Sequence, residues 1–264
     1  MNDRTVSPNG VVMLGSLILA VLSVGCTAFA ISMDKSHWRN VVQKPIGVIV
    51  LIPEKRLVLS ELLFRVVWAE RRETYYSFDG IWDPAPILEQ NCVATLQRDF
   101  NIRTLTLRGA VEPGSYRDLV AVAEAAFNTE RRQVKAPADR AALREEFWTK
   151  PPMKYLRARP TRDLGKIGER LGVDFILELS LAGISMEPVG PFGIQGGTLS
   201  VFVYGRLIRV ADEAVVWLNR AAAGVHEKEL TDLQEDLELL REDFDEAVMR
   251  VCEPDGIFRG LKPH

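Results

Sequence analysis

The alternation of apolar and polar positions is clearest between Leu164 and Arg220, and the rest of the chain can be read outward from it. Leu164, Ile167 and Leu171 recur at helical spacing, and Gly172 stands where a helix end commonly takes a positive φ. The next run puts Val173, Phe175, Leu177, Leu179 and Leu181 on one face and Asp174, Glu178 and Ser180 on the other, which predicts a half-buried strand. A second alternating run, Leu199 to Leu207, follows a turn-rich segment, and Ala211-Asp212-Glu213 then turns the chain into Ala214 to Asn219. Three strands joined by short connections predict an antiparallel meander over about 173–220.

Upstream, Ile46 to Ile52 is a continuous apolar run closed by Pro53, the pattern of an interior strand. Residues 56–80 stay β-prone around Glu70-Arg71-Arg72-Glu73 and read as an extended or hairpin insertion. Asp83-Pro84 opens a helix in which Leu88, Cys92 and Leu96 stack, and a strand is expected from Ile102 to Leu107. Ser115 with Asp118 resembles a capping box ahead of a helix burying Leu119, Val120, Ala123, Ala126 and Phe127. Residues 129–160, basic and proline-rich, form a second insertion with a short helix around Arg140 to Trp148. A capping box at Thr231 and Gln234 begins a C-terminal helix with a seam from Leu230 to Val251; its acidic opposite face reads as solvated. The fold class is therefore an α/β (α+β) sandwich, a mixed sheet ending in the meander and covered by helices on one side. It forms one domain over 45–264, after a polar tether over 26–44.

The first residues change this picture. Val11 to Ser32 carries no charge over about 22 residues, long enough to span a bilayer if it is not cleaved. Within it, Leu22-Ser23-Val24-Gly25-Cys26 resembles a bacterial lipobox, although Ser23 stands where leucine is usual and Arg4 is offset by Asp3. The resemblance implies that residues 1–25 are a signal peptide, that Cys26 is fatty-acylated, and that Thr27 belongs to the class sorted to the outer membrane. An uncleaved anchor in the inner membrane is the alternative, and both readings export the remaining chain to the periplasmic side. Removing Cys26 leaves Cys92 and Cys252, on the apolar stripes of two predicted helices. They are a candidate disulfide, with two buried free thiols as the alternative.

Candidate chemistry is sparse. His37, His226 and His264 have no metal-ligand spacing, and no nucleophile elbow, P-loop or dinucleotide fingerprint occurs. Glu145 and Glu146 are adjacent, which on a helix points them about 100° apart rather than at one substrate atom. The glycine-rich run over 189–197 leads into a strand instead of a helix, so it reads as an exposed loop, with Phe192, Ile194 and Gln195 as candidate partner-binding residues. No catalytic residue, metal or cofactor is expected. A formal net charge of -3 without a basic stripe gives no sign of nucleic-acid binding.

Two passages carry a wider resemblance: Leu164 to Leu177, and Leu207 to Trp217. They resemble the second half of bacterial envelope lipoproteins with an anticodon-binding-domain-like α/β domain, the group of the curli-secretion lipoprotein, the penicillin-binding-protein activators and the N-terminal domain of TolB. Ala211-Asp212-Glu213-Ala214 lacks the glycine usual in that group's turn. The resemblance implies a non-enzymatic scaffold or assembly factor that binds another envelope protein from the outer membrane, facing the periplasm. A ring- or pore-forming secretion component, a homo-oligomer paired through residues 56–78, is the alternative, and an inner-membrane-anchored periplasmic protein is the second. The leader reading has a direct check in a Gram-negative host. The intact mass is expected to lack residues 1–25 and to gain acyl chains, with both changes lost in Cys26→Ala; an unprocessed mass in both proteins selects the uncleaved anchor.

Overall fold

A computed structural model describes residues 30–65, 68–133, 152–158, 164–188, 197–227 and 237–262. Cys26, the loop residues Phe192, Ile194 and Gln195, the helix expected around 140–148 and the Thr231/Gln234 capping box lie outside them. No described helix is long and apolar enough to cross a membrane. In chain order the elements are α1 (Lys35–Gln43), β1 (Ile46–Leu51), β2 (Arg56–Arg65), β3 (Trp68–Ser77), α2 (Ala85–Phe100), β4 (Thr104–Thr106) and α3 (Leu107–Ala110). There follow α4 (Pro113–Gln133), α5 (Met153–Arg157), α6 (Leu164–Leu171), β5 (Phe175–Pro188), β6 (Gly197–Arg209), β7 (Val215–Glu227) and α7 (Leu237–Val251).

The mixed α/β class and the C-terminal meander are as the pattern predicts. β1 is buried along its whole length because it lies between two parallel neighbours, β4 and β5. β5 is the hub. On one side it pairs with β1 over Ile176–Ser180 and, farther along, with β2 over Ile184–Met186; on the other it pairs with β6 from Phe175 to Pro188. β6 then pairs antiparallel with β7. The segment over 56–80 is therefore no excursion from the sheet: β2 and β3 form a hairpin that extends it.

β5 also runs seven residues beyond Leu181, where its expected alternation stops. A bulge between Leu181 and Gly183 shifts the parity, so that Leu177, Leu179 and Leu181, then Ile184 and Met186, all enter the same core. Helices cover both faces instead of one. α1, α2 and α7 pack on the face bearing Val48, Val50 and Leu177, and α4 and α6 pack on the face bearing Ile49, Leu51 and Ile176. Gly168 of α6 lies so close to Val210 that a side chain there would collide with it. Gly172 ends that helix at φ 67°, as expected, and in the β6–β7 turn Glu213 takes φ 56°, the left-handed conformation that glycine adopts without strain.

Residues 31–44 do not behave as a tether. Ile31 bridges Leu218 of β7, and Asp34 caps α1 by accepting from the Ser36 and His37 N–H groups. Val41 is buried, and Trp38 meets Phe100 edge-on at 6.4 Å between ring centroids. The capping box expected at Ser115 also shifts. α4 begins two residues earlier, at Pro113, whose fixed φ suits a first helical turn, so Ser115 lies inside the helix. After α7 the chain closes on itself: Ile257, Phe258 and Leu261 are buried, and the Asn219 amide donates to the Ile257 carbonyl at 2.8 Å.

Cys92 of α2 and Cys252, just after α7, are joined in the core, with their Cα atoms 5.1 Å apart and 160 residues between them in sequence. In the chain-entropy picture a loop of that length is worth about 5 kcal/mol, which for a domain of this size is roughly 10 to 20 °C in Tm. Cys92→Ala with Cys252→Ala is expected to lower the melting temperature by that order under oxidising conditions, read by circular dichroism. An unchanged melting curve, with two free thiols in the parent, excludes the bridge.

Candidate functional site

Among the described residues the cover over the sheet gives way to a cleft where β1 ends. Val50 and Ile52 reach the carboxyl end of the strand, the chain steps aside at Pro53 into β2, and an open cleft of about 790 Å³ is left between that step, the start of α2 and the flank of α4. A crevice beyond the carboxyl ends of parallel strands is where open α/β sheets bind ligands. Its floor is apolar, built from Val50, Ile52, Phe78, Trp82 and Val120. Trp82 is set by an edge-on contact with Phe244, 4.6 Å between centroids.

The rim carries both signs of charge. Lys55 Nζ lies 2.9 Å from Asp79, an ion pair at the foot of the β2–β3 hairpin, and its hydrogen bond to Asp79 holds the ammonium above its ordinary range. Arg108 of α3 is bracketed by Asp83 at 3.3 Å and Glu89 at 3.9 Å, and its guanidinium lies over the Tyr116 ring at 5.7 Å. Asp83 also accepts from the Ala85 N–H at 3.0 Å and so occupies the start of α2. Glu124 of α4 reaches across to accept the Ile52 N–H at 2.6 Å, satisfying the backbone at the end of β1. Burial pushes the Glu124, Glu89 and Tyr116 groups up, opposed at Glu124 by that Ile52 N–H and at the other two by the Arg108 charge. No group of three or more His, Cys, Asp or Glu side chains able to hold a metal occurs among the described residues.

A second polar cluster lies under α4 and α5. Glu178 and Arg206 face each other across β5 and β6, each 2% exposed, with two hydrogen bonds of 2.9 Å between guanidinium and carboxylate. Arg206 Nη1 donates to the Tyr155 and Ala158 carbonyls at 2.6 and 3.2 Å, and the Tyr155 hydroxyl donates to Glu178 at 3.2 Å. Burial raises the Tyr155 hydroxyl well above its ordinary range. The face of β5 expected to meet solvent is buried, because Phe127, Tyr155 and Tyr204 pack over it. This cluster is enclosed and ties α5 to the sheet, whereas the cleft is open.

His37 lies in α1, its Nδ1 at 2.7 Å from Asp34 and its Nε2 at 2.8 Å from Arg209. The side chain of His226 and the whole of His264 fall outside what is described. No regularity of spacing could have pointed to Lys55, Arg108 and Glu124, which come from separate elements; the one local signal was Asp83-Pro84, read only as a helix start.

The class so defined is a mixed α/β domain with an open, mixed-charge cleft. No family model and no curated protein matches the chain. Among solved structures it is similar to a Xanthomonas campestris protein of the DUF330 family, at 9% identity, 79% of this chain, 78% of that one and a TM-score of 0.37. It is similar also to the PelC dodecamer of Paraburkholderia phytofirmans, at 12% identity, 80% and 89% coverage and TM-score 0.33. Lipoprotein GNA1162 of Neisseria meningitidis follows, at 11% identity, 75% and 95% coverage and TM-score 0.30. Likeness at this level carries no inference about function.

The buried Glu124 carboxyl yields a pH prediction. Its folded pKa lies above its unfolded one, so its contribution to stability is complete below the unfolded value and is lost as pH rises through the folded value. Glu124→Gln keeps the acceptor for Ile52 without the charge. The variant is expected to melt higher than the parent at about pH 7 and to match it at about pH 4, by calorimetry. A variant less stable at both pH values overturns the assignment.

Proposed function

We propose that the chain is a non-enzymatic envelope lipoprotein, acylated at Cys26 and facing the periplasm from the outer membrane, which acts as a scaffold or assembly factor by binding another envelope protein. The observation that carries the binding role is the cleft at the end of β1. Its apolar floor is flanked by Lys55, Arg108 and Arg117 and by Asp79, Asp83 and Glu124. A polypeptide segment offers both apolar side chains and charges of both signs, which suits this lining. A phosphorylated ligand would meet three carboxylates at the same rim. The lipobox at Leu22 to Cys26 and the cysteine pair within the core support an exported, disulfide-permissive setting.

A second reading, a ring-forming secretion component, is favoured by the hairpin. β2 pairs with β5 over only Leu57 to Leu59, and among the described residues β3 pairs with β2 alone, an arrangement a strand from another subunit could extend. One experiment separates the two. A photo-crosslinker at exposed Arg117 in cells is expected to give one heterologous adduct and none in an Arg108→Glu background. Adducts at multiples of the chain's own mass, formed from Tyr75 and not from Arg117, select the ring; no adduct from either position sinks both readings.

A further inference from the structure

The cleft is bounded on one side by an unfinished strand edge. In a regular strand the N–H and C=O of one residue point to one neighbour, and those of the next residue point to the other. The Ile46 N–H donates to the Arg103 carbonyl at 2.9 Å, on the β4 side, so Val48, Val50 and Ile52 turn their main-chain groups that way and Gly47, Ile49 and Leu51 turn theirs to β5. β4 is short. Its pairing with β1 stops at Val48 and Thr106, where the chain turns into α3, and beyond that point Val50 and Ile52 line the cleft.

These two residues are served unequally. The Ile52 N–H has the Glu124 carboxylate at 2.6 Å, a side chain standing where the carbonyl of a neighbouring strand would be. The Val50 N–H and C=O have no hydrogen-bond partner among the described residues, and at 1% exposure bulk water does not meet them either. A donor and an acceptor on one residue, spaced for extended main chain and left unmet beside an apolar cleft, are what an added strand satisfies. The walls agree with this. A strand laid along β1 sends alternate side chains to opposite faces of the sheet, toward Phe78 and Trp82 on one and toward Tyr116 and Val120 on the other. Both walls are apolar or aromatic, so they fit a continuous apolar run like that of β1 itself.

We propose that the cleft takes its polypeptide by strand addition: a short, extended, proline-free apolar segment lies along β1 beyond the end of β4, makes two hydrogen bonds with Val50, and gives a carbonyl to the Ile52 N–H as the Glu124 side chain swings aside. This rests on the reading of the cleft as a polypeptide site and names the part that is recognised. Main-chain hydrogen bonds hold the segment, the two walls select its apolar side chains, and the charged rim meets the residues that flank it.

The test uses the full chain and an array of decapeptides, the probe being the tightest binder that also forms an adduct with a photo-crosslinker at Arg117. That peptide is remade with a single N-methyl group stepped along it. Methylation is expected to cost about tenfold or more in affinity at alternate positions of the central run and little at the positions between, because only every second N–H faces β1. The Val50 amide is expected to exchange with deuterium about tenfold more slowly in the complex, read by NMR, and folded Glu124→Ala, which lacks the stand-in acceptor, to bind the probe several-fold more tightly. A probe that crosslinks at 117 but shows no period of two, leaves Val50 exchange unchanged, or binds folded Glu124→Ala more weakly overturns strand addition and leaves the polypeptide reading standing. No decapeptide crosslinking at 117 removes the polypeptide reading and the strand with it.

Discussion

Glu178 and Arg206 form an ion pair in a place where neither could stand alone. β5 has partners along both edges and packed side chains on both faces, so a carboxylate in its middle is removed from water entirely. Desolvating such a charge costs several kcal/mol, and the attraction between the partners offsets this only when the remaining donors and acceptors are also satisfied. Here they are: Arg206 is shared between Glu178 and two carbonyls of the 152–158 segment. Removing either partner would strand the other, at a cost of about 3 to 5 kcal/mol. The pair also sets the register of β5 against β6 and anchors α5, whose Tyr155 stacks on Arg206 and meets Phe127 of α4.

From that register the rest of the architecture follows. β5 is long enough to serve two strands end to end on one side, so β1 can stop at Leu51 and the chain can resume pairing as β2 after the step at Pro53. The step opens the cleft. Glu124 takes the Ile52 N–H there, and the hairpin foot brings Lys55 and Asp79 to the rim. The same sheet closes at its other edge with Ile31 and the C-terminal turn, far from the cleft by the width of the sheet.

Local periodicity was a good guide wherever an element depends on its own neighbours in sequence. The apolar run of β1, the meander, the stacking of Leu88, Cys92 and Leu96, and the positive φ at Gly172 all rest on relations within a few residues. It failed where a distant group changes the environment. Glu178 and Ser180 look solvent-facing in a period-two pattern, and only the arrival of α4 and α5 buries them. Ala182 shifts the parity of β5 through a bulge that no composition rule announces, and Asp34 to Gln43 reads as polar linker until Trp38 and Val41 find the core.

The sequence by itself determined the kinds of element, their order and the pairing option left to Cys92 and Cys252, because each depends on short-range pattern or on counting. Tertiary structure alone decided which charges are buried, that Lys55, Arg108 and Glu124 share one cleft, and that Ile31 pairs with Leu218 at the β7 edge. The physical reason is that burial and proximity are set by strand pairing between residues far apart in the chain. Glu178 meets Arg206 across 28 positions and Ile31 meets Leu218 from the opposite end of the domain, distances over which side-chain period carries no information.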